Sequence, residues 1–372
     1  MKNMLSTSDN NLAAVIKTTQ GAYRVMVGRG IIESIGLEMA AANLHGRAFI
    51  IADQALFPAG VRRCQEALEA GGYTANVLTI PSGEPAKSLD TARQIYEWLG
   101  GQRAERSDVI VALGGGVTGD LAGFVAATWL RGVAFVQAPT SLAAMVDASI
   151  GGKVAVNLPI GKNLVGAFHQ PKLVMAEVDY LQSLSRRELA SGWAEAIKHG
   201  LIADASLLDT FETHAEEMMS LSGEAAVKAI QRSVAIKAEV VSVDEFETGD
   251  TRVLLNYGHT VGHALEAVTG YGKLLHGEAV SVGMMAAARI SQRMGMISGE
   301  LVDRQRAILE RYGLPVRASG VSVDAVLEAT RSDKKTRGGA IRWVLLDGVG
   351  KATTRRDVPE NTVSEAVGEL LR

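Results

Sequence analysis

Short apolar or β-branched runs punctuate the first half of the chain: Tyr23–Val27, Ala48–Ala52, Val77–Ile80, Val109–Leu113 and Ala134–Gln137. Their length and composition predict buried strands. Between them, Gly60–Ala70 and Ser88–Leu99 carry apolar residues at helical spacing. Such alternation predicts a mostly parallel sheet covered by helices. Near Leu184 the texture changes. Ser185-Arg186-Arg187-Glu188 reads as a capping box. Helical patterns then follow over 186–202, 205–219, 224–243, 259–269, 277–294, 299–312 and 322–331. A late run, Ile341–Leu346, meets Asp347-Gly348 as a strand entering a hairpin turn. The expected organisation is an α/β domain over 1–184 and a mainly α-helical domain over 185–372, with the first 15 residues disordered.

Composition narrows the class. A chain of 372 residues with 40 glycines lacks the period of three that collagen needs. Lys+Arg 38 against Asp+Glu 41 leaves a net charge of −3, so no basic excess points to nucleic acid. One cysteine, Cys64, excludes an intrachain disulfide framework and reads as a small core hydrophobe. The N-terminal residues lack a signal peptide's apolar core, and no run of about 18 uncharged apolar residues exists to span a membrane. A soluble, cytoplasmic protein is expected.

Val109–Leu113 runs directly into Gly114-Gly115-Gly116-Val117-Thr118-Gly119-Asp120 and a helix-like segment. This is G-x-G-x-x-G in its strand–turn–helix setting, where backbone amides at a helix start approach a pyrophosphate. It makes the first domain Rossmann-like and nucleotide-binding. The acid expected about 20 residues later is missing, because that position falls near Ala138-Pro139-Thr140. Asp53, ending an earlier strand, is the substitute for holding a ribose. Glu84 and Lys87 follow another strand at the end where a nucleotide would sit.

Of seven histidines, His259 and His263 lie one helical turn apart, and His276 follows near the start of the next helical pattern. Upstream, Glu195, Lys198 and His199 share a helical face. Two imidazoles and a carboxylate suit a divalent metal with one position open. Spacing alone does not say which two of the three histidines bind. Arg131, Lys153, Lys162, Lys198, Lys237, Arg252, Lys334 and Lys335 flank glycine turns or helix starts. Converging, they would hold a substrate bearing phosphate and carboxylate.

These segments together resemble the dehydroquinate synthase family, within the sugar phosphate cyclases. The resemblance rests on Gly114–Asp120, Pro139-Thr140-Ser141 through Lys153, Gly161-Lys162-Asn163, Ala194-Glu195-Ala196-Ile197-Lys198, Leu254–His259 with His263, and His276-Gly277-Glu278. It implies a shikimate-pathway enzyme that makes 3-dehydroquinate and phosphate from a heptulosonate phosphate, using NAD and Zn²⁺ or Co²⁺. Transient oxidation, β-elimination of phosphate, re-reduction and an intramolecular aldol closure make up the implied reaction. By matching positions, the resemblance assigns Glu195, His259 and His276 to the metal and puts His263 on the substrate side. It assigns Asp53, Glu84, Lys87, Gly115, Gly116, Val117, Asp120, Thr140 and Ser141 to NAD, with Lys153 and Lys162 close by. Asp147, Lys153, Lys162, Asn163, Lys198, Lys237, Arg252 and Asn256 match substrate or catalytic positions. Arg131 and one of Lys334 or Lys335 match phosphate-binding positions. A homodimer is also implied. A related cyclase acting on sedoheptulose phosphate and a metal-dependent polyol dehydrogenase are the alternatives.

Overall fold

The computed structural model describes residues 10–56, 58–270, 272–332 and 341–371. Two compact units emerge. The first runs to Leu184 and also takes in Ile230–Phe246; the second holds Ser185–Ala229 and the residues from Glu247 onward. A division read along the chain assigns all of 185–372 to one domain and so places Ile230–Phe246 in the second. Hydrogen bonds explain the regrouping: Gln231 donates to the Val27 carbonyl (2.9 Å), and Glu245 accepts from the Thr19 amide (2.8 Å).

The first unit is built on a seven-stranded sheet in the order β1-β2-β9-β6-β5-β3-β4. Its strands are β1 (Leu12–Thr18), β2 (Gly21–Gly28), β3 (Ala48–Asp53), β4 (Ala75–Ile80), β5 (Val109–Gly114), β6 (Ala134–Pro139) and β9 (Leu173–Glu177). All neighbours pair parallel except β1 with β2. Helices α1 (Ile35–Ala41), α2 (Pro58–Ala70), α3 (Leu89–Gly101) and α4 (Gly116–Thr128) connect them. Ile50, Val111 and Leu113 enter one apolar cluster, which includes Cys64 and Leu68 of α2. Phe49, Ile51, Ile110 and Ala112 enter the other, with Ile95 of α3 and Leu121 of α4. Both faces of the sheet are therefore covered, which is why its strands read as unbroken apolar runs.

β1 corrects an expectation. Residues 12–15, expected to be disordered, belong to a strand paired with β2. Only Ile16 of β1 is fully buried, although Leu12–Ile16 is an unbroken apolar run of strand length. A separate hairpin pairs β7 (Lys153–Leu158), whose alternate Val154 and Val156 are buried, with β8 (Gly161–Phe168), which is largely exposed.

In the second unit, α5 (Arg186–Ala203) begins with the expected capping box: Ser185 Oγ accepts from the Glu188 amide, and Glu188 accepts from the Ser185 amide (2.8 Å). α6 (Ala205–Thr213), α7 (Ala215–Ser220) and α8 (Ala225–Val243) follow, with most of α8 in the first unit. Next come α9 (His259–Thr269), α10 (His276–Arg293), α11 (Gly299–Arg311) and α12 (Val323–Ser332). The late strand is β10 (Trp343–Leu346), paired with β11 (Ala352–Arg355) ahead of α13 (Glu360–Leu370). Among the described residues, no helix is long and apolar enough to cross a membrane.

Candidate functional site

In the first unit the chain lays β4 on one side of β3 and returns to place β5 on the other. That reversal opens a crevice at the carboxyl ends of β3 and β5, the usual ligand position in open α/β sheets. Asp53 ends β3, and the glycine turn leaves β5 directly beside it. Thr140 follows β6, its amide donating to the Gly114 carbonyl (2.9 Å).

The turn's glycines divide into two kinds. A Cβ on Gly114 would meet Thr118 at 2.5 Å, and one on Gly119 would meet Gln137 at 2.7 Å, so packing inside the fold demands both. On Gly115 and Gly116 a Cβ would come no closer than 3.4 Å to Ser141 and Ala148, respectively. Gly115 caps α4 and supplies no side-chain acceptor. The first amides of α4, Val117 among them, thus have the uncapped helix start that suits a pyrophosphate.

Around this crevice Lys87, only 5% exposed, donates to Asp120 and to Asn163. Burial pushes the Asp120 carboxyl up, against the pull of the Lys87 ammonium. Glu84 accepts from Asn157 Nδ2 (2.7 Å) and lies 3.7 Å from Lys162 Nζ. Asn157 in turn accepts from the Asn163 amide (2.9 Å). Asp53 accepts from Ser82 and from the Ala55 amide (2.9 Å). Lys237 on α8 donates to the side chain and the carbonyl of Asp147.

Lys153 opens β7 and is exposed. Arg131 is not brought to this group. It lies beyond the far end of 13-residue α4, about 20 Å from the glycine turn at about 1.5 Å per residue. Lys334 and Lys335 lie outside the described residues.

The second unit gathers its own cluster on three helices. Glu195 and Lys198 sit mid-way along α5, both 1% exposed. His259 starts α9, His263 follows one turn on, and His276 starts α10. Ligand atoms of the three histidines lie within 4.8 Å of one another. Glu195 is split by its surroundings. Oε2 accepts from Lys198, while Oε1 is buried, has no hydrogen-bond donor, and lies 3.4 Å from His276 Nε2 and 3.7 Å from His259 Nε2. Bonds of about 2.1 Å to a tetrahedral Zn²⁺ would separate ligand atoms by about 3.4 Å. The donor set fits a divalent cation.

Electrostatics agree with that fit. Burial alone would raise Glu195, yet the Lys198 ammonium and the two imidazoles hold its carboxyl well below the usual range. Burial and the Lys198 charge keep His259 low and neutral. Burial opposes protonation of His276, but the Glu195 and Glu266 carboxylates outweigh it and carry the imidazole to about 10. The carboxylates demand positive charge where the Nε2 atoms converge.

Arg252 and Asn256 lie in the 3-10 turn ahead of His259, with Arg252 buried and Asn256 donating to Glu247 (3.2 Å). Sequence reasoning assigned no part to Asn157, Ser82, Arg187, Glu278 or Glu266. Arg187 clasps Glu278 (2.6 and 2.7 Å), and Glu278 accepts from the Leu275 amide (2.8 Å), fixing the approach to His276. Glu266 carries a legible signal: it lies seven residues after His259, on the same helical face.

Comparison with known proteins places these features in context. Residues 77–191 match the family described as 3-dehydroquinate synthase N-terminal, and residues 192–336 match 3-dehydroquinate synthase C-terminal. A 3-dehydroquinate synthase from Synechococcus sp. is 43% identical over 94% of this chain and 96% of its own. One from Nitrosomonas europaea is 43% identical over 94% of each. Among solved structures, 2-deoxy-scyllo-inosose synthase, complexed with carbaglucose-6-phosphate, NAD⁺ and Co²⁺, superposes with a TM-score of 0.84 at 27% identity, over 96% of this chain and 99% of that one. The 2-epi-5-epi-valiolone synthase of Streptomyces hygroscopicus, with NAD⁺ and Zn²⁺ bound, gives 0.85 at 26% identity, over 94% and 96%.

Proposed function

The chain belongs to the 3-dehydroquinate synthase family, and we propose that the residues assembled above carry that family's reaction. The protein is an NAD- and metal-dependent lyase. It converts 3-deoxy-D-arabino-heptulosonate 7-phosphate into 3-dehydroquinate and phosphate. A substrate hydroxyl is oxidised, phosphate leaves by β-elimination, the hydroxyl is restored, and an intramolecular aldol closes the ring, so no net oxidation occurs. Bound NAD supplies a hydride acceptor that becomes the donor, and a bound divalent cation supplies Lewis acidity.

Glu195, His259 and His276 would hold the cation, and the carrying observation is the donor-free Oε1 of Glu195 facing two Nε2 atoms. Lys198 pins the other carboxylate oxygen and so aims Oε1 at the imidazoles. The uncapped start of α4, with Gly115, Gly116 and Val117, would take the pyrophosphate of NAD, and Asp53 its ribose. Glu84, Lys87, Asp120, Thr140 and Ser141 would line that cofactor. Lys153, Lys162, Asn163, Arg252 and Asn256 are assigned to the anionic substrate, where cationic groups stabilise departing phosphate. Asp147, paired with Lys237, holds that ammonium in a fixed place. His263, more exposed than His259, is left to exchange protons with substrate oxygens.

Zinc or cobalt as the metal, a place in the shikimate pathway, a cytoplasmic location and a homodimer complete the proposal. Arg131 supports the homodimer, because its own chain's strand ends are beyond its reach while a second copy's are not so constrained. The test is incubation with NAD⁺, Zn²⁺ or Co²⁺ and the heptulosonate phosphate. Phosphate release with no net NADH is expected; steady NADH accumulation would favour a polyol dehydrogenase and overturn the reading. Turnover of sedoheptulose 7-phosphate instead would favour the related cyclase.

A further inference from the structure

A cation held beside Glu195 Oε1 would take the lone pair of Nε2 from His276 and from His259, which would oblige each ring to carry its proton on Nδ1. What holds those protons differs between the two rings. His259 Nδ1 faces the backbone carbonyl of Tyr257 at 3.3 Å. His276 Nδ1 faces a carboxylate, Glu266 Oε2, at 3.1 Å. Glu266 is on α9, two turns beyond His259, and its side chain is 11% exposed against 39% for His276. The more exposed ring thus leans on a largely buried charge, while the more buried ring needs only a dipole.

We propose that Glu266 is a positioning residue: it fixes the tautomer and the plane of His276, and so makes this ring, rather than His263, the second imidazole of the centre. The inference rests on the metal reading of Glu195, His259 and His276. Its physical basis is general. A carboxylate accepting the outer N–H of a ligating histidine locks the ring and raises the basicity of the ligating nitrogen. A carbonyl provides the lock with less of the charge. Exposure explains the asymmetry, since a ring open to water by more than a third has little packing to hold it. Arg187 and Glu278 restrain the backbone just ahead of His276, but neither orients the imidazole itself.

The test compares wild type, Glu266→Gln and Glu266→Ala by titrating each apo-protein with Co²⁺. Affinity and the visible absorption of the bound ion are recorded, with NAD⁺ affinity and thermal midpoint as controls. Glu266→Gln keeps the shape and an acceptor oxygen but loses the charge. Removing an outer partner of this kind weakens metal binding about 10–100-fold. Gln is expected near the lower end and Ala near the upper, with altered absorption bands in both and NAD⁺ affinity unchanged.

A lowered thermal midpoint with wild-type Co²⁺ affinity and spectrum would make Glu266 merely structural and overturn the proposal. Should Ala fail to fold, the isosteric Gln variant decides alone. If the wild type binds no Co²⁺, the metal reading fails first and takes this inference with it; if it binds and the variants match it, only the inference fails.

Discussion

At the strand ends of the first unit, the Lys87 ammonium is shared between the oxygens of Asp120 and Asn163, and little charge is left unanswered. On the helices of the second unit, Glu195 leaves one buried oxygen with no donor and two imidazole nitrogens facing it. The first arrangement is made of backbone amides, glycines and neutralised pairs, and suits a large cofactor read mainly by shape and phosphate. The second is made of side chains converging on one buried oxygen without a donor, and suits an ion. Mutations should therefore damage the two regions separately.

The largest effect is expected at that carboxylate itself. Glu195→Ala should weaken divalent-metal binding by well over about 100-fold, beyond what loss of an outer-shell partner costs. NAD⁺ affinity should stay within about twofold, because no proposed cofactor contact changes. Metal analysis after gel filtration, with NAD⁺ titration alongside, decides the matter; a fully metal-loaded variant would remove Glu195 from the centre.

Gly277→Ala should come next. Its Cβ would lie 1.9 Å from the Ser191 carbonyl oxygen, which forces the start of α10 away from α5 and carries His276 with it. Overpacking of this kind costs about 1–3 kcal/mol. Because the obstacle is backbone, the upper part of that range is expected in urea unfolding, together with weaker Co²⁺ binding. Gly119→Ala makes the matching intrusion in the first unit, at 2.7 Å, but against the end of the Gln137 side chain. A smaller loss, about 1 kcal/mol, is expected there. Adding Gln137→Ala should recover part of it, and unchanged stability in the double variant would show that the glycine serves the cofactor and not the packing.

Cys64 offers the smallest and most selective readout. Burial in the first unit's core pushes its thiol up to about 12 from the usual 9.0. The folded thiol stays neutral while the unfolded one ionises, so this group's contribution to stability is present below about pH 9 and is lost as pH rises through the window. At pH 8 a thiol reagent should label Cys64 only on unfolding of the first unit. Equal labelling rates in wild type and Glu195→Ala would confine the damage to the second unit; a faster rate in the variant would break the separation.

Much of this was legible along the chain because it depends on neighbours in sequence. A buried parallel strand shows as an apolar run, and the glycine turn joins β5 to α4 without a gap. The capping box before α5 occupies four consecutive residues. β1, β7 and β8 escaped: Leu12–Val15 lies in a stretch expected to be disordered, and the alternation of Val154 and Val156 is short and set among glycines and charges. The proposed ligand set comes from the resemblance, because spacing leaves the choice open among three histidines.

What the sequence determined by itself, then, is whatever one stretch of backbone can do: form the strands, start the helices and leave the amides of α4 uncapped. Only the tertiary structure returned Ile230–Phe246 to the first unit. It also placed Glu195 against His259 and His276, and Glu266 behind His276. The physical reason is range. Local geometry follows from adjacent residues, whereas a buried carboxylate, two Nε2 atoms and the group behind one of them meet only once three helices have packed.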